Sequence, residues 1–157
     1  MKRLLSLSAV WLFVMVAMTH SGGQDRGAND GIRGQFVGAW RLARLEQPGA
    51  DGKLHKSDST GLLVFTGDGH ISVQVMERNP QPRTAGPEQY SQGGYEASFG
   101  TYRIDQTSRT FTFHVEGALV RSLIGKDLPR LFELSGKQLI VQSTRADEHW
   151  RVVWERY

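Results

Sequence analysis

The sequence predicts an all-β domain that folds as an antiparallel, up-and-down barrel of about eight strands. Short β-rich runs recur at regular spacing with turn residues between them, and no amphipathic helix of any length interrupts them. Consecutive runs form hairpins, which favours a barrel over a sandwich with Greek-key connections. The chain has 157 residues, 39% of them hydrophobic, which suits one domain with one core.

The N-terminus has the pattern of a secretory signal peptide. Lys2 and Arg3 precede a fifteen-residue run from Leu4 to Met18 that only two serines interrupt. A membrane-spanning helix needs about 20 apolar residues, so this run is short for a span. We therefore expect a signal peptide over residues 1–23, a flexible glycine-rich tether over 24–34 and the barrel domain over 35–157. The protein is then exported to the periplasm or secreted, without stable membrane insertion after cleavage. The alternative is an uncleaved N-terminal anchor.

Charge and cysteine content exclude several classes of protein. Removing Lys2 and Arg3 lowers the formal net charge from +3 to +1. No basic cluster is interleaved with aromatic residues, so no nucleic-acid partner is expected. The chain has no cysteine, which excludes a lipid-anchored lipoprotein and leaves closure of the barrel, rather than disulfides, to stabilise the fold.

The first half of the domain contains one strand and one hairpin. Alternation through Trp40 and Leu42 slips near Arg44, which indicates a strand with a bend or bulge. Residues 47–60 carry glycine, proline and several charges and are expected to be a loop or a poorly paired excursion. Two β-rich runs then flank Asp68-Gly69, a strong hairpin signal.

The second half begins with a long loop and continues with two hairpins. Residues 77–94 hold three of the five prolines and cannot form a central strand, so they are expected to be a surface loop near the open end of the barrel. The apolar segment 118–125 suits a strand end or a helical turn. The remaining strands are expected at residues 95–104, 110–117, 128–134, 138–143 and 150–156.

The best candidates for chemistry are His114 and Glu116. Alternation places both on the face of their strand opposite Phe111, Phe113 and Val115. If apolar side chains fill the barrel, the phenylalanines face inward and His114 and Glu116 face solvent. If the faces are reversed, Glu116 would orient the imidazole of His114 in a cavity, and His114 would transfer a proton or bind a polar ligand group. Both arrangements remain open.

Other candidates for ligand binding are Gln74, Phe99, Tyr102 and Arg130. Inward-facing polar side chains would hold a ligand carboxylate or hydroxyl, with Arg130 as the charge partner. Aromatic side chains would line an apolar cavity. No metal site is expected: His70, His114 and Glu116 are suitable ligand types, but nothing in the sequence brings them together. No cofactor is expected either. No serine lies in a nucleophile-elbow motif.

Six segments of the sequence carry a family resemblance, and they are Phe36–Leu42, Phe65–Gln74, Phe99–Tyr102, His114–Gly117, Phe132–Gly136 and Val153–Arg156. Together they resemble the bacterial and fungal lipocalin-like domain proteins over residues 35–156. The resemblance implies an eight-stranded, calycin-type barrel and a presumed small-molecule binder. Gly38-x-Trp40 is similar to the Gly-x-Trp motif of lipocalins, which implies that Trp40 plugs the closed end and that Arg156 covers its ring.

Three functions remain as hypotheses. The first is an exported barrel that binds a small, mainly apolar molecule in its lumen. The second is a cofactor-independent isomerase or cyclase in which His114 acts as acid and base and Glu116 orients it. The third is a structural or interaction barrel whose lumen is filled. The first two require a continuous lumen of about 300 Å³ or more.

Overall fold

The computed structural model describes residues 31–80 and 94–157. These residues form nine strands in a single antiparallel sheet that closes on itself. Each strand from β3 onward pairs with the next one, and β9 pairs back with β1; β2 lies outside the ring, paired with the end of β1. The predicted all-β barrel of eight strands is therefore confirmed. The strands are β1 (Gly38–Pro48), β2 (Leu54–Lys56), β3 (Ser59–Phe65), β4 (His70–Glu77), β5 (Tyr95–Asp105), β6 (Thr110–Ala118), β7 (Asp127–Ser135), β8 (Gln138–Ser143) and β9 (Arg151–Arg156).

Local signals in the sequence correspond to local features of the strands. The predicted slip in β1 is a bulge at Ala43, because Leu42 pairs with Trp154 and Arg44 pairs with the adjacent Val153. The hairpin at Asp68-Gly69 joins β3 to β4. The apolar segment after β6 contains a 3-10 helical turn, Arg121–Leu123.

Two sequence predictions lie wholly or largely outside the described residues, and a third needs correction. The signal peptide over residues 1–23 is not described, and neither is most of the loop over 77–94. Residues 31–34, predicted as the end of a flexible tether, belong to a helical segment, 31–36. Phe36 explains this order, because its ring is completely buried at one end of the barrel and the Nε1 of Trp40 donates a hydrogen bond to its carbonyl at 2.8 Å.

Aromatic rings and one arginine close that end of the barrel. The Arg156 guanidinium lies over the Trp40 ring, 4.4 Å from its centre, and donates hydrogen bonds to the carbonyls of Val37 and Gln35. Gly38 makes room for it: its φ is +132°, and a Cβ there would lie 2.8 Å from Arg156 Nη1. These side chains therefore close one end of the barrel and leave the opposite end open.

The helical segments within residues 31–80 and 94–157 lack the length and apolar character that a membrane span requires.

Candidate functional site: the barrel cavity

The barrel contains a cavity of about 470 Å³ beyond its packed closed end. Pockets that bind small molecules commonly measure about 300–1,000 Å³, so the cavity has the size of a ligand site. The described side chains therefore do not fill the lumen, whereas a purely structural barrel would require a filled one. Most of its lining is apolar and comes from Leu45, Leu63, Ile71, Val73, Val75, Phe111, Phe113, Leu123, Leu128, Val141, Val152 and Trp154.

Strand β6 presents its phenylalanines to the cavity, which settles the facing that the sequence left open. Phe111, Phe113 and Val115 are buried. His114 and Glu116 point to the outer surface, where His114 Nδ1 and Asp127 Oδ1 are hydrogen bonded at 2.8 Å. This placement corrects the arrangement in which the two residues line the lumen. The isomerase or cyclase hypothesis gains no support from it, because the residues that it needs lie outside the cavity.

Gln74 and Phe99 also lie on the outer face. Gln74 is exposed and accepts a hydrogen bond from the hydroxyl of Tyr95 at 3.3 Å, while Ile71, Val73 and Val75 take the inward positions of β4. The side chain of Phe99 is 56% exposed. These two residues are thus corrected from lumen to surface, because their strands present the alternate positions to the cavity.

Tyr102 faces inward but lies in the packed closed end rather than in the cavity. It is 5% exposed, packs edge-to-face against Phe65 at 4.9 Å, and donates a hydrogen bond from its hydroxyl to Thr66 O at 3.0 Å. Its role in the described structure is to close the barrel, and it does not reach the space where a ligand fits.

Arg130 is the one residue of the predicted ligand set that lines the cavity. Its guanidinium lies over the ring of Trp150, 5.1 Å from the ring centre, and Nη1 donates to the carbonyl of Pro129 at 3.1 Å. Burial lowers the pKa of Arg130, while the charges of Glu148 and Glu96 act in the opposite direction. An arginine side chain is not deprotonated in proteins, so the cavity contains a partly desolvated positive charge.

Glu148 lies near this charge but is bonded to other groups. Its Oε2 accepts hydrogen bonds from Ser143 Oγ at 2.7 Å and Trp150 Nε1 at 3.3 Å, and its Oε1 lies 3.2 Å from Nε of Arg145. The bonds from Ser143 and Trp150 lower the pKa of Glu148. The carboxylate therefore holds the Trp150 ring in place beneath Arg130.

Three polar residues of the lining were missed in the sequence: Gln47, Glu96 and Ser98. Alternation could have found two of them, because an inward Tyr102 puts Gly100, Ser98 and Glu96 on the same face of β5. The residues favoured instead, Phe99 and Tyr102, are three positions apart and point in opposite directions. Within the described part of the chain, His, Asp and Glu side chains form no group of three that could hold a metal ion.

Comparison with known proteins identifies the family of this chain. Residues 37–157 match the family model described as lipocalin-like domain. A lipocalin-like protein from Bacteroides uniformis aligns with 78% of this chain and 99% of its own at 17% identity and a TM-score of 0.47. A protein from Bacteroides eggerthii gives 17% identity over the same shares and a TM-score of 0.46. No curated protein matches the chain. Because the family model covers the whole barrel, the chain belongs to the lipocalin-like domain family.

Proposed function

We propose that this protein binds a small, mainly apolar molecule in its barrel cavity. The observation that carries the proposal is the cavity of about 470 Å³ with an aliphatic and aromatic lining. One end of the barrel is closed by Phe36, Trp40 and Arg156, so a ligand would enter from the opposite end. Transfer of apolar surface from water into this space supplies the driving force.

We further propose that binding takes place outside the cytoplasm. The support is the charged start, Lys2 and Arg3, followed by the short apolar run. Expression of the full chain in a bacterial host, with intact-mass analysis of the periplasmic fraction, tests this. A mature protein that begins after about residue 23 is the expected result. Recovery of the full-length chain in the membrane fraction would support the anchor instead.

Filling the cavity should weaken the binding of an apolar probe. Val73→Trp adds a large ring on an inward position of β4 and is expected to weaken binding of the neutral dye N-phenylnaphthylamine by about tenfold or more, measured by its fluorescence. Gln74→Trp is the matched control, because it adds the same ring at the next position on the outer face.

The two variants separate cavity binding from surface binding. Gln74→Trp is expected to bind the dye like the wild type, and circular dichroism and thermal melts show whether both variants fold. Equal dye binding by the two folded variants would contradict a site in the lumen. Native mass spectrometry of protein from its own host is a second test: a small molecule is expected to accompany the wild type but not Val73→Trp.

A further inference from the structure

The polar and apolar parts of the cavity lie on opposite sides of the barrel. Arg130 projects from β7, which in the closed ring of eight strands is four strands from β3 in either direction. The wall across the lumen from it is formed by β3 and its neighbour β4, and it presents Leu63, Ile71, Val73 and Val75. A ligand that spans the cavity therefore meets a cation at one side and an aliphatic surface at the other.

Most N–H donors of the Arg130 guanidinium form no hydrogen bond with the described residues. Among the described residues, its hydrogen bond is to the carbonyl of Pro129, and no carboxylate lies within the 4.0 Å of an ion pair. Glu148 is committed to Ser143, Trp150 and Arg145. An arginine carries five N–H donors in a planar fork, and a partly desolvated one is stabilised by a bidentate anion.

Glu96 limits what that anion can be. It lines the same cavity, is exposed at the rim, and its charge acts on Arg130 together with that of Glu148. Two nearby carboxylates oppose an anion with more than one negative charge, such as a phosphate monoester. A single planar carboxylate fits both the fork of Arg130 and this acidic surrounding.

We propose that the ligand is an amphipathic monocarboxylic acid, whose carboxylate pairs with Arg130 and whose apolar body lies against Leu63 and the inward side chains of β4. This assignment rests on the proposed function, because it specifies the chemical class of the molecule bound in the cavity. Glu96 sets specificity by disfavouring anions of higher charge. The Trp150 ring keeps the guanidinium in place beneath the ligand head group.

The test compares decanoic acid, decanol and methyl decanoate as competitors of N-phenylnaphthylamine at neutral pH. The wild type is expected to bind decanoate about tenfold more tightly than decanol, the gain of a charge-assisted hydrogen-bond pair. Arg130→Met should remove this preference and leave decanol affinity within about twofold. Arg130→Lys, which keeps the charge but loses the fork, should fall between them.

Removal of a negative charge at the rim of the cavity is an independent test, because it should strengthen decanoate binding where Arg130→Met weakens it. Glu96→Gln is expected to tighten decanoate binding by about two- to fivefold without changing decanol binding, because it removes a repulsive charge. Glu133→Gln is the matched control: it removes a carboxylate from an exposed position on β7, outside the cavity lining, and should change neither.

The outcomes distinguish this inference from the function on which it rests. If the dye and decanol bind in the lumen but decanoate gains nothing, or if Arg130→Met weakens the acid and the alcohol equally, the acid assignment is overturned while cavity binding stands. If neither the dye nor any of the three compounds binds, cavity binding itself fails. Among the described residues no carboxylate lies within ion-pair distance of Arg130, so Arg130→Met leaves no partner carboxylate unpaired. If Arg130→Met nevertheless fails to fold, Arg130→Lys and Glu96→Gln decide the question: unchanged decanoate affinity in both overturns the assignment.

Discussion

Replacing Phe36 with alanine is expected to lower the free energy of unfolding by about 3–5 kcal/mol. The ring is completely buried and packs edge-to-face against Phe65, Phe132 and Phe111, with centroid distances of 5.1, 4.9 and 5.9 Å. Its removal leaves a cavity between three rings that come from three different strands, and these strands cannot move together without breaking the ladder. Urea unfolding followed by tryptophan fluorescence measures the change.

Phe99→Ala is the control for loss of a phenylalanine ring. Phe99 is 56% exposed on the outer face of β5, so its removal is expected to cost about 1 kcal/mol or less. Phe36→Ala should also weaken ligand binding, because Phe111 lines the cavity and loses its support from Phe36. Similar losses of stability in the two variants would mean that the helical segment does not plug the barrel.

The contrast between these two phenylalanines shows what the sequence could predict. Strands and hairpins follow from neighbours along the chain, such as Asp68-Gly69 and the alternation of β4, and these predictions agree with the structure. Phe36 precedes the first strand, and its burial depends on three distant rings that no local pattern shows. Phe99 is the opposite case, a large apolar residue that is exposed. Its ring packs over Gly117 on the outer face, while Ser98 and Gly100 face inward.

In the site, Arg130 could be recognised from the sequence, whereas the position of Glu96 beside it could not. Arg130 interrupts an inward run of Leu128, Phe132 and Leu134, so a charged residue on an apolar face was visible in the sequence. Glu96 precedes Ser98 and Gly100, the small inward residues of β5, so its direction follows only from Tyr102 further along the strand. The approach of Glu96 to Arg130 depends on the register of two strand pairings, β5 with β6 and β6 with β7, and required the structure.

Gly100→Ala is expected to destabilise the barrel by about 3 kcal/mol or more, through loss of space rather than backbone strain. β5 and β6 approach each other at a bulge, where Phe99 pairs with Gly117 and Gly100 with Val115, leaving Glu116 as the extra residue. A Cβ on Gly100 would overlap the carbonyl oxygen of His114 and lie 2.9 Å from the amide nitrogen of Glu116. Both are backbone atoms, which cannot rotate away as a side chain would, so the two strands must separate.

Gly67→Ala provides the matched comparison for that effect. Gly67 lies in the β3–β4 turn with no atom within 4 Å of an added Cβ, and its change is expected to alter stability by about 1 kcal/mol or less in either direction. Thermal melts and urea unfolding of the two variants measure the difference. Equal unfolding midpoints would contradict the close approach at the bulge.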